Sequence, residues 1–241
     1  MSIYLLIGAL IAEIAGTIAG FGSSSIFLPI AHQFLNYHNA IILVAIYHIF
    51  GNISRFLLFW KHRDKKIFFL FGLPSIIATI VGARLSGMID PSLLKIVLGC
   101  VLMLFALYAL VQPTFNIIIS PWIGRIGGAL SGFTAGLIGT GGVLRGAFMT
   151  LFGLSKEAYI ATIASVALLV DITRIPIYFG QGFMDSQYYI SIPVLFIIAF
   201  IGSRIGKKIV HHINAQVLRN IILISIIIVS GLLAYQGRTT L

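Results

Sequence analysis

Charge is what this chain has least of. Of its 241 residues 9% are charged, and only six are acidic. Soluble domains carry about 25% charged residues, so a water-exposed globule is excluded. Cysteine is almost missing as well. The lone Cys100 sits in an apolar stretch, which rules out an intrachain disulfide and argues against a thiolate metal cluster. No H-E-x-x-H metal motif and no G-x-S-x-G elbow is present. In Gly128-Ala129-Leu130-Ser131-Gly132 the serine is misplaced for that elbow. Ser131 or Ser24 meeting His48 in space is all that an enzyme reading has. The chain therefore reads as a non-enzyme with no cofactor and no metal site.

What fills the sequence is apolar. Hydrophobic residues make up 59%, and mean hydropathy is +1.06. Ile, Leu and Phe run on without the alternation of a β-barrel, so the expected class is all-α, a polytopic transmembrane bundle. The net charge of +10 would suggest nucleic acid in a soluble protein. Here the basic residues cluster in short loops, where they set orientation and touch anionic lipid, so no nucleic-acid partner is expected. No basic n-region opens the chain. The first span is expected to carry the insertion signal itself, with the protein in the cytoplasmic membrane.

Apolar runs predict eight segments, roughly 3–30, 40–60, 67–88, 92–112, 121–149, 157–180, 187–206 and 215–236. The first and fifth are interrupted by related phrases about 116 residues apart. One is Gly16-Thr17-Ile18-Ala19-Gly20-Phe21-Gly22-Ser23-Ser24-Ser25-Ile26-Phe27-Leu28-Pro29. The other is Gly132-Phe133-Thr134-Ala135-Gly136-Leu137-Ile138-Gly139-Thr140-Gly141-Gly142-Val143-Leu144-Arg145-Gly146. Irregular backbone at bilayer depth survives only when packed in protein or lining a cavity. Paired interruptions in two halves are the best sequence pointer to a transporter's binding site.

Further pairs keep the same order: Ser54-Arg55 with Thr173-Arg174, Pro74 with Pro193, Gly82-Ala83-Arg84 with Gly202-Ser203-Arg204. We read two homologous halves, 1–112 and 121–241, joined by a linker at 113–120. If each broken segment crossed the bilayer, the basic residues would divide nearly evenly between the faces. If each dips in and returns, three full spans follow in each half and the halves are inverted. One face then collects Lys61, Arg63, Lys65, Lys66, Arg125, Lys156, Arg204, Lys207, Lys208 and Arg219. The other keeps Arg84, Lys95 and Arg238. Ten against three is a strong positive-inside bias. The expectation is inverted repeats, both termini outside, and Lys207-Lys208 with His211-His212 in a cytoplasmic loop. Pro74 and Pro193 are expected to kink their helices, and Gly8, Gly99, Gly127 and Gly128 to allow close packing.

Three arginines stay at membrane depth, where burying a charge costs at least about 3 kcal/mol. Arg55 either snorkels to the boundary at Trp60-Lys61 or lines a pathway. Arg174 follows Asp171 by one helical turn, which suits a local ion pair. Arg145 follows the second break and is expected to face a polar cavity. Gly139, Gly141 and Gly142 let backbone approach a ligand, and Ser23, Ser24, Ser25 and Thr140 offer hydroxyl donors. A half-helix that starts after a break aims its N–H groups at the midplane. Together these residues form a candidate anion site. Glu13 is either a proton-loading carboxyl, a partner for an arginine, or an interfacial group. His48 is either a proton relay or a hydrogen-bonded structural histidine, with Asn52 on the same stripe. Glu13, His48 and Asp171 are the coupling candidates.

The two breaks resemble the motif G-x-x-G-x-G-G-G-x-x-x-x-P of the sulfite exporter TauE/SafE family. The resemblance covers nearly the whole chain, including the Gly82 and Gly202 helices and the Leu93-Leu94 and Val217-Leu218 segments that follow. It implies secondary transport of small sulfur-containing or organic anions such as sulfite, sulfonates and carboxylates, often outward. Two departures stand out. Ser23-Ser24-Ser25 replaces the usual glycines, and Arg145-Gly146 stands where an apolar residue and a proline would lead on. The reading is thus an alternating-access transporter of a small anion. A passive anion channel through the same constriction is the alternative. A purely structural subunit fits poorly with the arginines and the breaks. Expected partners are the anion, membrane lipid and, as an open option, further copies of the chain.

Overall fold

Helices begin where the sequence supplies caps. Ser2, Asn36, Asp64, Ser120 and Ser155 each accept a backbone N–H one turn ahead, which satisfies an otherwise orphaned donor. The computed structural model describes residues 2–90, 92–111 and 120–239. The helices are α1 (Ile3–Ala19), α2 (Ser24–Ala31), α3 (Tyr37–Phe59), α4 (Lys65–Leu85) and α5 (Ser92–Val111). The second half of the chain gives α6 (Pro121–Ile138), α7 (Gly142–Thr150), α8 (Lys156–Gly180), α9 (Ile192–His212) and α10 (Ala215–Thr239). No strand occurs among the described residues. Most of the expected linker, 113–119, lies outside them; Ser120 caps α6.

Six helices are long and apolar enough to cross a membrane: α3, α4, α5, α8, α9 and α10. The all-α polytopic bundle is therefore what the chain forms. The remaining four helices are the two broken segments, and each folds back on itself. Gly20 ends α1 and Gly139 ends α6, both at φ 79°. Only glycine adopts that left-handed turn without a Cβ penalty. After the first turn, α2 runs back beside α1: a methyl on Gly8 would touch Ile30 Cγ2 at 2.8 Å, and one on Gly16 would touch Ser23 N at 2.5 Å. After the second, α7 runs back beside α6, with Phe148 against Gly127 and Phe152 against Gly124. Both are helical hairpins.

The hairpins dock across the chain. The long helix α6 packs on α4, and α1 packs on α9. Gly128, Gly132 and Gly136 of α6 lie against the backbone of Phe71, Ser75 and Thr79–Ala83 on α4. A methyl on Gly132 would sit 2.7 Å from Ser75 Cα, so only glycine lets the two helices meet. Close approach brings weak and strong hydrogen bonds within reach. Ser75 Oγ donates to Gly128 O at 2.9 Å, and Thr79 Oγ1 to Gly132 O at 3.1 Å. In the α1–α9 pair, Gly202 and Gly206 receive Glu13 and Thr17. The helices α3 and α8 are the most buried spans, and they cross each other at the centre. On the outside, α5 turns Leu93, Val97, Val101 and Leu104 outward, the surface a lipid-facing helix needs.

Several sequence expectations change here. Lys207, Lys208, His211 and His212 are not a loop; they form the last turns of α9. Pro193 sits in the first turn of α9, where a missing N–H costs nothing, so it kinks no helix. Pro74 is inside α4 as expected, and Pro29 and Pro176 are also intrahelical. Lys95, counted above among the charges of one face, is a buried residue of α5. The close-packing role holds for Gly8, Gly99, Gly127 and Gly128. Trp60 and Trp122 are exposed at helix ends, as interfacial anchors would be.

Candidate functional site

The tips of the two hairpins touch. Ser25 Oγ and Thr140 Oγ1 share a hydrogen bond of 2.7 Å across 115 residues of sequence. A methyl on Gly142 would meet Phe21 O at 2.5 Å and Ser25 Oγ at 3.0 Å, and one on Gly146 would meet Phe21 Cβ at 2.9 Å. Ser23, Ser24, Ser25, Gly139, Thr140, Gly141, Gly142 and Arg145 are all buried around this junction. Ser23 caps α2 without using its side chain, and its hydroxyl has no partner. A void of about 10 Å³ borders Thr140 and Gly141, at the lower limit for a single water. The junction is occluded.

Arg145 is 1% exposed. It has no ion pair or hydrogen bond to its guanidinium among the described residues, and its Nε is buried without a partner. The charges it senses are Asp171 and the like-charged Arg174. Two partnerless polar groups, the Ser23 hydroxyl and the Arg145 guanidinium, thus sit on the two tips.

Beneath the tips runs one continuous polar network. Arg55 pairs with Glu13, donates to Thr17 Oγ1 at 3.0 Å and to Asn52 Oδ1 at 2.8 Å. Asn52 donates to Asp171 Oδ2 at 3.0 Å. His48 Nδ1 lies 2.9 Å from the same oxygen. Arg174 holds Asp171 Oδ1 at 2.8 and 3.0 Å. It also donates to Ala135 O at 2.9 Å and to Gly139 O at 2.7 Å, the end of α6. Arg55 therefore does not snorkel, and Glu13 is not interfacial; each is the other's partner. Arg174 makes the one-turn pair with Asp171 that the spacing suggested. In all, three buried arginines face two buried carboxylates, and Arg145 is the one left over.

Sequence reasoning matched Arg55 with Arg174 at an offset of 119 residues but missed the contact at the same offset: Asn52 and Asp171 bond to each other. It also missed Tyr178, which donates to Ala135 O at 3.1 Å beneath the second tip. His48 Nε2 sits directly against Gly22 of the first tip, a contact that no spacing rule exposes.

A family model described as sulfite exporter TauE/SafE matches residues 4–233. The chain belongs to the TauE/SafE sulfite exporter family. No curated protein matches it. As a member of a membrane transporter family with six apolar spans, the chain is an integral multi-pass membrane protein.

Proposed function

We propose that this chain is a secondary transporter of a small anion, of the sulfite, sulfonate or short carboxylate class, and that the anion binds between the hairpin tips. The observation that carries this reading is Arg145. A guanidinium buried at membrane depth without an ion pair or hydrogen bond costs several kcal/mol, and a bound oxyanion supplies what it lacks. The planar fork suits such oxygens, and the Ser23 hydroxyl adds a free donor. Because the junction is closed by Ser25 and Thr140, the tips must part for the anion to leave. Alternating access follows if they part toward one face at a time.

The halves 1–112 and 121–241 act as inverted repeats in this reading. Each hairpin starts and ends on one face and is followed by three spans, so the second half enters from the opposite side. The basic loops then lie in the cytoplasm and both termini outside. Thiol labelling of a cysteine placed at Ser2 should give external reactivity, and one at Ser120 internal reactivity. Equal sidedness of the two positions would end the inversion.

His48 is the coupling group we favour over Glu13, which is held by Arg55. Its Nδ1 faces Asp171 while its Nε2 touches the first tip, so a proton gained there is felt where the anion sits. In proteoliposomes, sulfite should show saturable counterflow, accelerated by an imposed pH gradient. His48→Gln should keep counterflow and lose the acceleration. Flux that never saturates and follows membrane potential alone would point to the channel instead.

A further inference from the structure

A second cation is buried without a partner, well away from the tips in sequence. Lys95 lies in the first turn of α5 and is 8% exposed. It has no hydrogen bond or ion pair among the described residues; its ammonium stands 5.9 Å from the centroid of the Tyr37 ring. It lines a cavity of about 320 Å³ together with Tyr37, His38, Gly87, Asp90 and Ser92. At about 30 Å³ per water that is room for roughly ten waters, or for a small oxyanion with part of its hydration.

The neighbouring groups do not neutralise Lys95. The exposed Asp90 carboxylate is turned to the start of α5, where Oδ1 accepts Ser92 N at 2.9 Å and Ser92 Oγ at 2.5 Å. Those bonds hold its carboxyl below the usual range. His32 stacks on Tyr37. Burial, and then the Lys95 charge, push its imidazole down to about 4, so it adds no charge at neutral pH. The Lys95 ammonium therefore faces the cavity with no hydrogen-bonded counter-charge, open to a solute that enters it.

The cavity also shares a wall with the second hairpin. Tyr37 Oη and Ser86 Oγ each donate to Leu137 O at 2.9 Å, two residues before the Gly139 turn. His38 continues the wall by stacking on Phe183 at 4.2 Å, and Phe183 stacks on Tyr178 at 5.4 Å. Tyr178 in turn holds the α6 carbonyls. The floor of this cavity is thus bonded directly to the helix that ends at the second tip.

We propose that this cavity is a second anion site, an antechamber in which Lys95 holds a small oxyanion on one face of the protein before or after it occupies the tips. The proposal rests on the reading of the tips as an anion site, and the test separates the two. Equilibrium dialysis of the purified full chain with radiolabelled sulfite should give two bound anions per chain. Lys95→Gln should remove one, lowering affinity there at least roughly tenfold, and Lys95→Arg should keep both. Asp90→Asn should tighten the antechamber about threefold, because it deletes a repelling charge at the rim; a purely structural role for Lys95 moves nothing in that variant. If Lys95→Gln still binds two while Arg145→Gln binds one, the antechamber falls and the tip site stands. If Arg145→Gln binds two and Lys95→Gln one, the tip reading falls and the antechamber stands.

Discussion

Sulfite flux through Arg145→Gln should fall by about a hundredfold in proteoliposomes. Removing one member of a desolvated charge pair costs about 2–5 kcal/mol, and each 1.4 kcal/mol is about a factor of ten. The loss should come without unfolding. In the anion-free protein the guanidinium is a burden, buried and partnerless, so its neutral replacement should melt at the same temperature or higher. Lower activity with equal or greater stability is the signature of a group kept for its ligand. Arg145→Lys should keep part of the flux, since the charge remains but the two-pronged geometry is gone. Undiminished anion flux in Arg145→Gln would take this residue out of the site.

Asp171→Asn should have the opposite character, a large loss of stability. Asp171 accepts from Arg174, Asn52 and stands against His48. Without its charge, Arg174 is a second uncompensated cation beside Arg145. Breaking a buried pair this way costs about 3–5 kcal/mol, which should lower the melting temperature in detergent by on the order of ten degrees. The double exchange Asn52→Asp with Asp171→Asn moves the carboxylate to the facing residue, 3.0 Å across the contact between α3 and α8. It should regain part of the loss. Wild-type melting of Asp171→Asn would show that the network does not hold α3 and α8 together. The two variants separate the roles of neighbouring charges: Asp171 for the fold, Arg145 for the solute.

The parts that could be read from sequence obey local rules. The breaks at Gly20 and Gly139 were visible because hydrocarbon tolerates so few glycine runs, and both are left-handed turns. Segment limits were visible from apolar run length, within a few residues at most ends. The Arg174–Asp171 pair needed only the helical repeat. The Arg145 position after the second break marked it as unusual before any contact was known. Errors arose where a charge or proline was judged by its neighbours in sequence. Lys95 counts toward the charge of one face because it stands at the very start of its segment, yet α5 turns it inward. Lys207 and Lys208 look like a loop because four basic residues gather there, yet α9 continues through them to His212.

Sequence alone determines that this chain lives in a bilayer, forms helices there, and breaks two of them. Composition and the cost of unpaired backbone in lipid leave no other outcome. Which charges find partners is a different matter, because partners come from helices far apart in the chain. Only tertiary packing joins Glu13 to Arg55 and Asn52 to Asp171, and only it leaves Arg145 and Lys95 without an ion pair. A pattern along one helix specifies which face a residue occupies, while the identity of the facing atoms depends on how helices cross.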